Sequence, residues 1–341
     1  MVLYMVFTSL VMSCVGLYGY HYLAKTFPAA PRWVMAGIAV LVTLPGLSVW
    51  SFWAVVLFHL ALFSLVVELC FHRAGLWKVR LFVPVAATVL VLCYGWWNMR
   101  QVRMTTYHIR SDKVSEAVRI AMIGDLHYPE TMDGKRLKDY LDDIQTQEPD
   151  IFVLVGDIIG ENTDSAEMEQ AASLLGSVRV RLGRYYVFGN HDKANYARKK
   201  PYSVDAWVSA LERHGITVLE DQMAELDGTV SVTGRKDRSE QRLGSDALPK
   251  GEGYRILLDH QPVGLDENAR AGFDLELSGH THAGQIFPLG LLNRLSGMYK
   301  VNYGLKQIGG MELIVTSGLG GWGYPVRTGG HSEYVIIDVT P

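Results

Sequence analysis

A chain of 341 residues, 49% of them hydrophobic, has room for two or three domains of roughly 100 to 200 residues each. The whole chain carries a formal charge of −3; the first 97 residues hold five Lys or Arg against the single acid Glu68, so the remainder stands at −7. That acidic remainder argues against the basic track a nucleic-acid backbone needs. With Cys14, Cys70 and Cys93 all in the apolar part, it also has no disulfide framework and no thiolate-bound zinc.

A spanning helix needs about 20 mostly apolar residues to cross roughly 30 Å of hydrocarbon. Four stretches are predicted as spans, at residues 2–23, 33–49, 52–71 and 81–97; Pro45-Gly46 followed by Ser48 separates the second from the third. Residues 1–98 are thus expected to form a four-helix, multi-pass anchor in the cell membrane. The first span has no basic residue before it, so it reads as an anchor rather than a cleaved signal. Trp33, Trp50, Trp53, Trp77, Trp96 and Trp97 lie mostly near span ends, where amphipathic rings settle at the interface. Positive-inside counting ties, with Lys25, Arg32, Arg73, Lys78 and Arg80 on one side and Arg100, Arg103, Arg110, Lys113 and Arg119 after the last span. Lys25 and Arg32 following the first helix tip the expectation towards a soluble domain outside the cytoplasm. Glu68, four residues from His72, reads as snorkelling to the interface rather than marking an ion path.

Residues 99–117 are expected to be a linker. From residue 118 the pattern becomes short apolar runs that end in polar residues: a strand at 118–124, a helix at 134–147, a continuous buried-type strand at 151–155, a helix at 165–178 and a strand at 185–188. Strands alternating with helices indicate a mainly parallel sheet whose ligands gather at the carboxyl ends of its strands. Further strands are expected at 216–219, 229–233, 255–258, 275–277, 285–287, 313–316 and 334–339, forming a second sheet packed on the first. Arg235, Lys236, Arg238 and Arg242 fall in a polar, turn-rich stretch that reads as a solvated loop.

Five short motifs follow apolar runs in order: Asp125-Leu126-His127, Gly156-Asp157, Gly189-Asn190-His191-Asp192, His260, and Gly279-His280-Thr281-His282. Each alone is weak, but together they supply carboxylate oxygen and imidazole nitrogen of the kind that holds a pair of manganese, iron or zinc ions. Paired ions roughly 3.5 to 4 Å apart activate water for in-line displacement at phosphorus.

This series resembles the calcineurin-like metallophosphoesterases over residues 118–341, and among them a bacterial membrane-associated phosphodiesterase branch whose last motif reads Gly-His-Thr-His-Gly-Gly-Gln. Here Ala283 replaces a glycine, which puts a backbone conformation at issue. The resemblance implies an α/β fold, a four-layer α/β/β/α sandwich behind the transmembrane helices. It implies that Asp125, His127 and His282 bind one metal, that Asn190, His260 and His280 bind the other, and that Asp157 bridges them. His191 is implied as the group that protonates the leaving oxygen or steadies charge at phosphorus, with Asp192 as its orienting partner. The acidic balance and the anchor favour a small-molecule or lipid-linked phosphate ester at the lipid bilayer as substrate, with no nucleic acid partner expected. Some relatives cleave the pyrophosphate of UDP-2,3-diacylglucosamine in lipid A synthesis, although a domain outside the cytoplasm argues against that cytosolic substrate. The Gly-Asp-Ile-Ile-Gly run at 156–160 departs from the protein serine/threonine phosphatases. A nuclease of the same superfamily is one alternative, but it would need a basic groove, against which the −7 charge argues; a non-catalytic membrane scaffold is another, but degenerate domains usually lose ligands, and here every position is filled. Arg327 reads either as a phosphate contact or as a solvated arginine, and residues 318–323 as a phosphate cradle or a turn beside the metals. His108, His214 and His331 lack motif context and read as surface or packing residues.

Overall fold

A computed structural model describes residues 2–47, 51–71, 77–197, 199–297 and 299–341. The chain divides into two compact units, Met1–Trp97 and Asn98–Pro341. Trp50, Ser48, His72 and Arg73, invoked for the membrane reading, lie outside the described residues.

The first unit is helical: α1 (Val2–Thr26), α2 (Arg32–Thr43), α3 (Phe52–Cys70) and α4 (Trp77–Asn98). Of the four expected spans, α3 and α4 are long and apolar enough to cross a membrane. The expected span at 33–49 is not a single α-helix. It tightens into a 3-10 turn at Leu44–Leu47, where Pro45 removes an N–H and its ring opposes the carbonyl four residues back. Glu68 on α3 accepts from Lys25 and, at 3.2 Å, from Tyr18 Oη, tying α3 to α1. His59 is buried, and its Nδ1 lies 2.8 Å from the Val55 carbonyl one turn earlier.

The second unit contains two six-stranded sheets. The first comprises β1 (Val102–Arg110), β2 (Val118–Ile123), β3 (Ile151–Val155), β4 (Gly183–Val187), β5 (Thr217–Val218) and β12 (Ser332–Thr340), in the order β1-β12-β2-β3-β4-β5. The second comprises β6 (Gln222–Leu226), β7 (Val230–Gly234), β8 (Tyr254–Leu258), β9 (Leu275–Ser278), β10 (Gly304–Ile308) and β11 (Met311–Val315), in the order β10-β11-β9-β8-β7-β6. β2, β3, β4 and β5 pair in parallel, as do β7, β8, β9 and β11. Every residue of β3 is buried, as expected for a parallel strand covered on both faces.

One apolar core joins the two sheets, with Met122, Val153 and Ile337 meeting Val232, Ile256 and Ile314. Outside the first sheet pack α5 (Gly134–Thr146), α6 (Ser165–Gly176) and α7 (Val204–Arg213), around Leu141, Leu175 and the fully buried Trp207. Their starts are capped: Asp133 accepts from Arg136 N at 2.8 Å, Asp164 and Glu167 form a capping box, and Ser203 accepts from Ala206 N at 3.1 Å. Each cap satisfies N–H groups that lack a partner within the helix. Outside the second sheet, Leu265 of α8 (Leu265–Arg270) packs with Phe273 and Leu313. The layers are therefore α/β/β/α.

Two expectations fail here. Val102–Arg110, read as part of a linker, is an edge strand paired in parallel with β12 along its whole length. Its apolar alternation slips at Thr105-Thr106, and the inward side includes Thr105, which bonds to Glu333. Residues 285–287, read as a strand, are irregular. The Gln285 amide is spent on the chain at 322–326, its Nε2 donating to the Trp322, Tyr324 and Val326 carbonyls and its Oε1 accepting from Trp322 N at 3.0 Å. An unexpected helix, α9 (Leu289–Ser296), follows.

Candidate metal centre

All five motifs begin at the carboxyl ends of strands: β2, β3 and β4 of one sheet, β8 and β9 of the other. The turns there are tight. A Cβ on Gly189 would lie 2.1 Å from Asp157 Oδ1, and one on Gly279 would lie 2.6 Å from Asp125 Oδ2; only glycine lets the neighbouring backbone come so close. Asp125, His127, Asp157, His280 and His282 all have positive φ, from 46° to 71°. Such non-glycine conformations are costly and gather at functional sites. Ala283, where the resembled motif has glycine, also has φ 52°.

The side chains converge in two groups, Asp125 with His127 and His282, and Asp157 with His260 and His280; within each group the candidate ligand atoms lie within 4.8 Å of one another. Asp157 Oδ2 stands between the groups, 3.2 Å from His260 Nε2 and 3.7 Å from His127 Nε2. His282 Nε2 lies 3.7 Å from Asp125 Oδ1. The His280 N–H donates to both Asp125 oxygens, at 3.0 and 2.9 Å. His260 Nδ1 is 2.8 Å from the Val155 carbonyl and His280 Nε2 is 3.1 Å from Tyr299 Oη. One nitrogen of each ring is thus fixed and the other left for a ligand.

Divalent cations fit this donor set. His127 Nε2, His260 Nε2 and Asn190 Oδ1 are buried without a hydrogen-bond partner, a condition that is expensive for polar atoms unless something accepts their lone pairs. Burial pushes His127 down to about 3 and His280 down to about 4, and depresses His282 strongly. Those rings stay neutral, the form that ligates. Burial pushes Asp125 up to about 7. Burial opposes the charge on Asp157, but His260, His191 and His127 around it hold its carboxyl well below the usual range.

Asp192 does not orient His191. Its Oδ2 accepts from Gly189 N (2.6 Å) and Asp157 N (2.7 Å), and its Oδ1 from Ile158 N (2.7 Å) and Ile159 N (3.0 Å), so it clamps the β3 loop to the β4 loop. Burial and nearby Asp157 push its carboxyl up to about 6 in spite of these donors. The partner of His191 is Glu161, with both carboxylate oxygens 3.0 Å from His191 Nδ1. Burial pulls the His191 pKa down, but Asp157 and Glu161 outweigh it and the net shift is upward. Glu161 went unread in the sequence, although its place four residues after Asp157 offered a signal; Tyr299 offered none.

Two other readings change, and of the two for residues 318–323 one holds. Arg327 is fully buried and donates to the His282, Ser317 and Gly320 carbonyls, so it braces the loops and does not face a phosphate. The 318–323 run turns the chain beside the ligands, with Leu319 N and Gly320 N donating to the Gly124 and Asp125 carbonyls. Arg235 and Arg242 are not solvated: both reach the buried Asp259 carboxylate, at 3.5 and 2.9 Å, next to His260. The other histidines have local partners: His108 near Asp338, His214 with Glu169, His331 with Tyr303 and Glu333.

Strand-end carboxylates and imidazoles in two facing groups, at the edge of a two-sheet sandwich, define a dimetal hydrolase centre. Residues 118–284 match the calcineurin-like phosphoesterase family. A zebrafish (Danio rerio) transmembrane protein with metallophosphoesterase domain is 30% identical over 73% of this chain and 60% of its own length. A Helicobacter pylori metallophosphoesterase is 28% identical over 79% of this chain and 73% of its own length. A Danio rerio dimetal phosphatase structure aligns over 60% of this chain and 88% of its own, at 11% identity and a TM-score of 0.39. Residues 118–284 thus form a calcineurin-like metallophosphoesterase domain, a family whose chemistry is metal-dependent phosphoester hydrolysis.

Proposed function

We propose that the protein is a membrane-anchored two-metal phosphodiesterase acting on a small or lipid-linked phosphate ester. The observation that carries this reading is the position of Asp157 between the two ligand groups. Two divalent cations held there, manganese by preference and iron or zinc otherwise, would supply an activated water and stabilise charge on the attacking and leaving oxygens. Asp125, His127 and His282 would hold one, and Asn190, His260 and His280 the other. Glu161 engages His191 Nδ1, so Nε2 is the nitrogen free to donate to a leaving oxygen. The upward shift of His191 keeps that proton available near neutral pH. Tyr196 and Trp322 flank the ring, with centroids 5.1 and 5.5 Å away, and limit its swing.

Anchoring is supported by α3 and α4, and the basic residues after the first helix support a catalytic unit outside the cytoplasm. A reporter fused after Pro341 tests the sidedness. For the chemistry, the purified full chain should bind two equivalents of manganese and hydrolyse bis(4-nitrophenyl) phosphate faster than 4-nitrophenyl phosphate. His191→Ala should keep both metals and lower kcat by roughly 10²- to 10⁴-fold. Binding of a single equivalent, or an unaltered kcat in the variant, contradicts the assignment.

A further inference from the structure

We infer that the cleft between α9 and β10 binds an anionic phospholipid, with its headgroup at Arg294 and Lys306 and its acyl chains on the leucine face of α9. This rests on the proposed function, since it names the class of substrate delivered to that centre.

The cleft holds about 630 Å³ and is lined by Ala283, Gly284, Leu291, Arg294, Tyr299 and Lys306 among others. It adjoins the metal ligands on two sides. Ala283 and Gly284 follow His282 directly, and Tyr299 Oη is bonded to His280 Nε2 at 3.1 Å. Gly284 packs on the first turn of α9, where a Cβ would lie 2.2 Å from Gly290.

α9 buries none of its residues. Leu289, Leu291, Leu292 and Leu295 are 42%, 50%, 47% and 73% exposed, and Phe287 just ahead of them is 48% exposed. Leu291, Leu292 and Leu295 are three and four residues apart, so they share a face. A contiguous apolar patch of this kind on an otherwise polar unit marks a binding surface. Charge decides the occupant. Lys300 is paired with Asp266 at 2.6 Å, whereas Arg294 and Lys306, also lining the cleft, meet no acid among the described residues. An apolar face bordered by unpaired cations suits an amphiphile with an anionic head. The same chain carries two helices able to cross a bilayer, which would hold the cleft among such lipids.

The test is native mass spectrometry of the full chain in detergent, titrated with phosphatidylglycerol and separately with phosphatidylcholine. Lipids held by the helices of the first unit are common to all variants and cancel in the comparison. Phosphatidylglycerol is expected to bind more tightly, by about fivefold for each of the two cations. Arg294→Gln with Lys306→Gln should erase that preference. Leu292→Ser with Leu295→Ser should weaken both lipids, and glycerol phosphate without acyl chains should bind weakly to all forms. Both double variants should melt with the parent and hydrolyse bis(4-nitrophenyl) phosphate at its rate, since they change exposed residues outside the metal centre. Equal affinity for the two headgroups, or unchanged lipid binding in the leucine variant, overturns the inference, as does a dimer that the leucine variant dissociates. If the parent binds phosphatidylglycerol selectively yet hydrolyses no diester, the catalytic reading fails and the lipid site stands.

Discussion

Asp192 shows how one side chain can hold a centre without touching what binds there. Four N–H groups converge on its two oxygens, and hydrogen bonds to a charged acceptor are each worth about 1.5 to 3 kcal/mol. Asp192→Asn would turn an NH₂ towards two of these donors, so a stability loss of roughly 3 kcal/mol is expected, read from the urea midpoint, together with loss of the second equivalent of manganese as Asp157 shifts. Ala283 should behave in the opposite way. Its φ of 52° is strained for any residue with a Cβ, so Ala283→Gly should raise stability by roughly 0.5 to 1 kcal/mol, with an unchanged denaturant slope. A midpoint that fell would show that the alanine methyl packs more favourably than its backbone is strained. The sequence offered this site readily because its ligands follow the strands within a few residues. It marked Glu161 only by its nearness to Asp157, with no sign of the contact to His191, which forms once the β3 and β4 loops fold against each other.

At the level of single elements, β9 carries a buried acid that the centre does not use. Burial pushes Glu276 up to about 8, from an ordinary 4.5, so the folded chain holds that proton more tightly than the unfolded one. Its stabilising contribution is fully present below about pH 4.5 and is lost as the pH rises through about 8. Glu276→Gln keeps an acceptor for Asn268 Nδ2, 2.8 Å away, and removes the titration. The variant should therefore melt above the parent at about pH 8.5 and match it near pH 4, with melting curves at the two pH values as the check. Equal margins at both would place the pH dependence elsewhere. The elements with regular periodicity, such as α5 and β3, were readable because burial imposes their pattern. β1 was not, since its apolar phase slips at Thr105-Thr106; nor was α9, whose leucines face outward and so carry no core-facing stripe.

For the whole molecule, the boundary drawn at residue 118 proves too late. β1 covers the outer edge of β12 through nine residue pairs, and Asn98 Nδ2 donates to the Arg327 and Gly330 carbonyls at 3.0 and 2.9 Å. A fragment starting at Asn98 should melt cooperatively and stay monomeric, whereas one starting at Asp112 should aggregate through an uncovered strand edge, as size-exclusion chromatography would show. Monomeric behaviour of the shorter fragment would make β1 dispensable. The strand order also has a temporal side. β12 lies between the edge strand β1 and β2, so β1 stays detached from the rest of the first sheet until residues 332–340 have left the ribosome. If α3 and α4 enter a bilayer as proposed, that insertion can be finished while the first sheet is still incomplete and the domain inert.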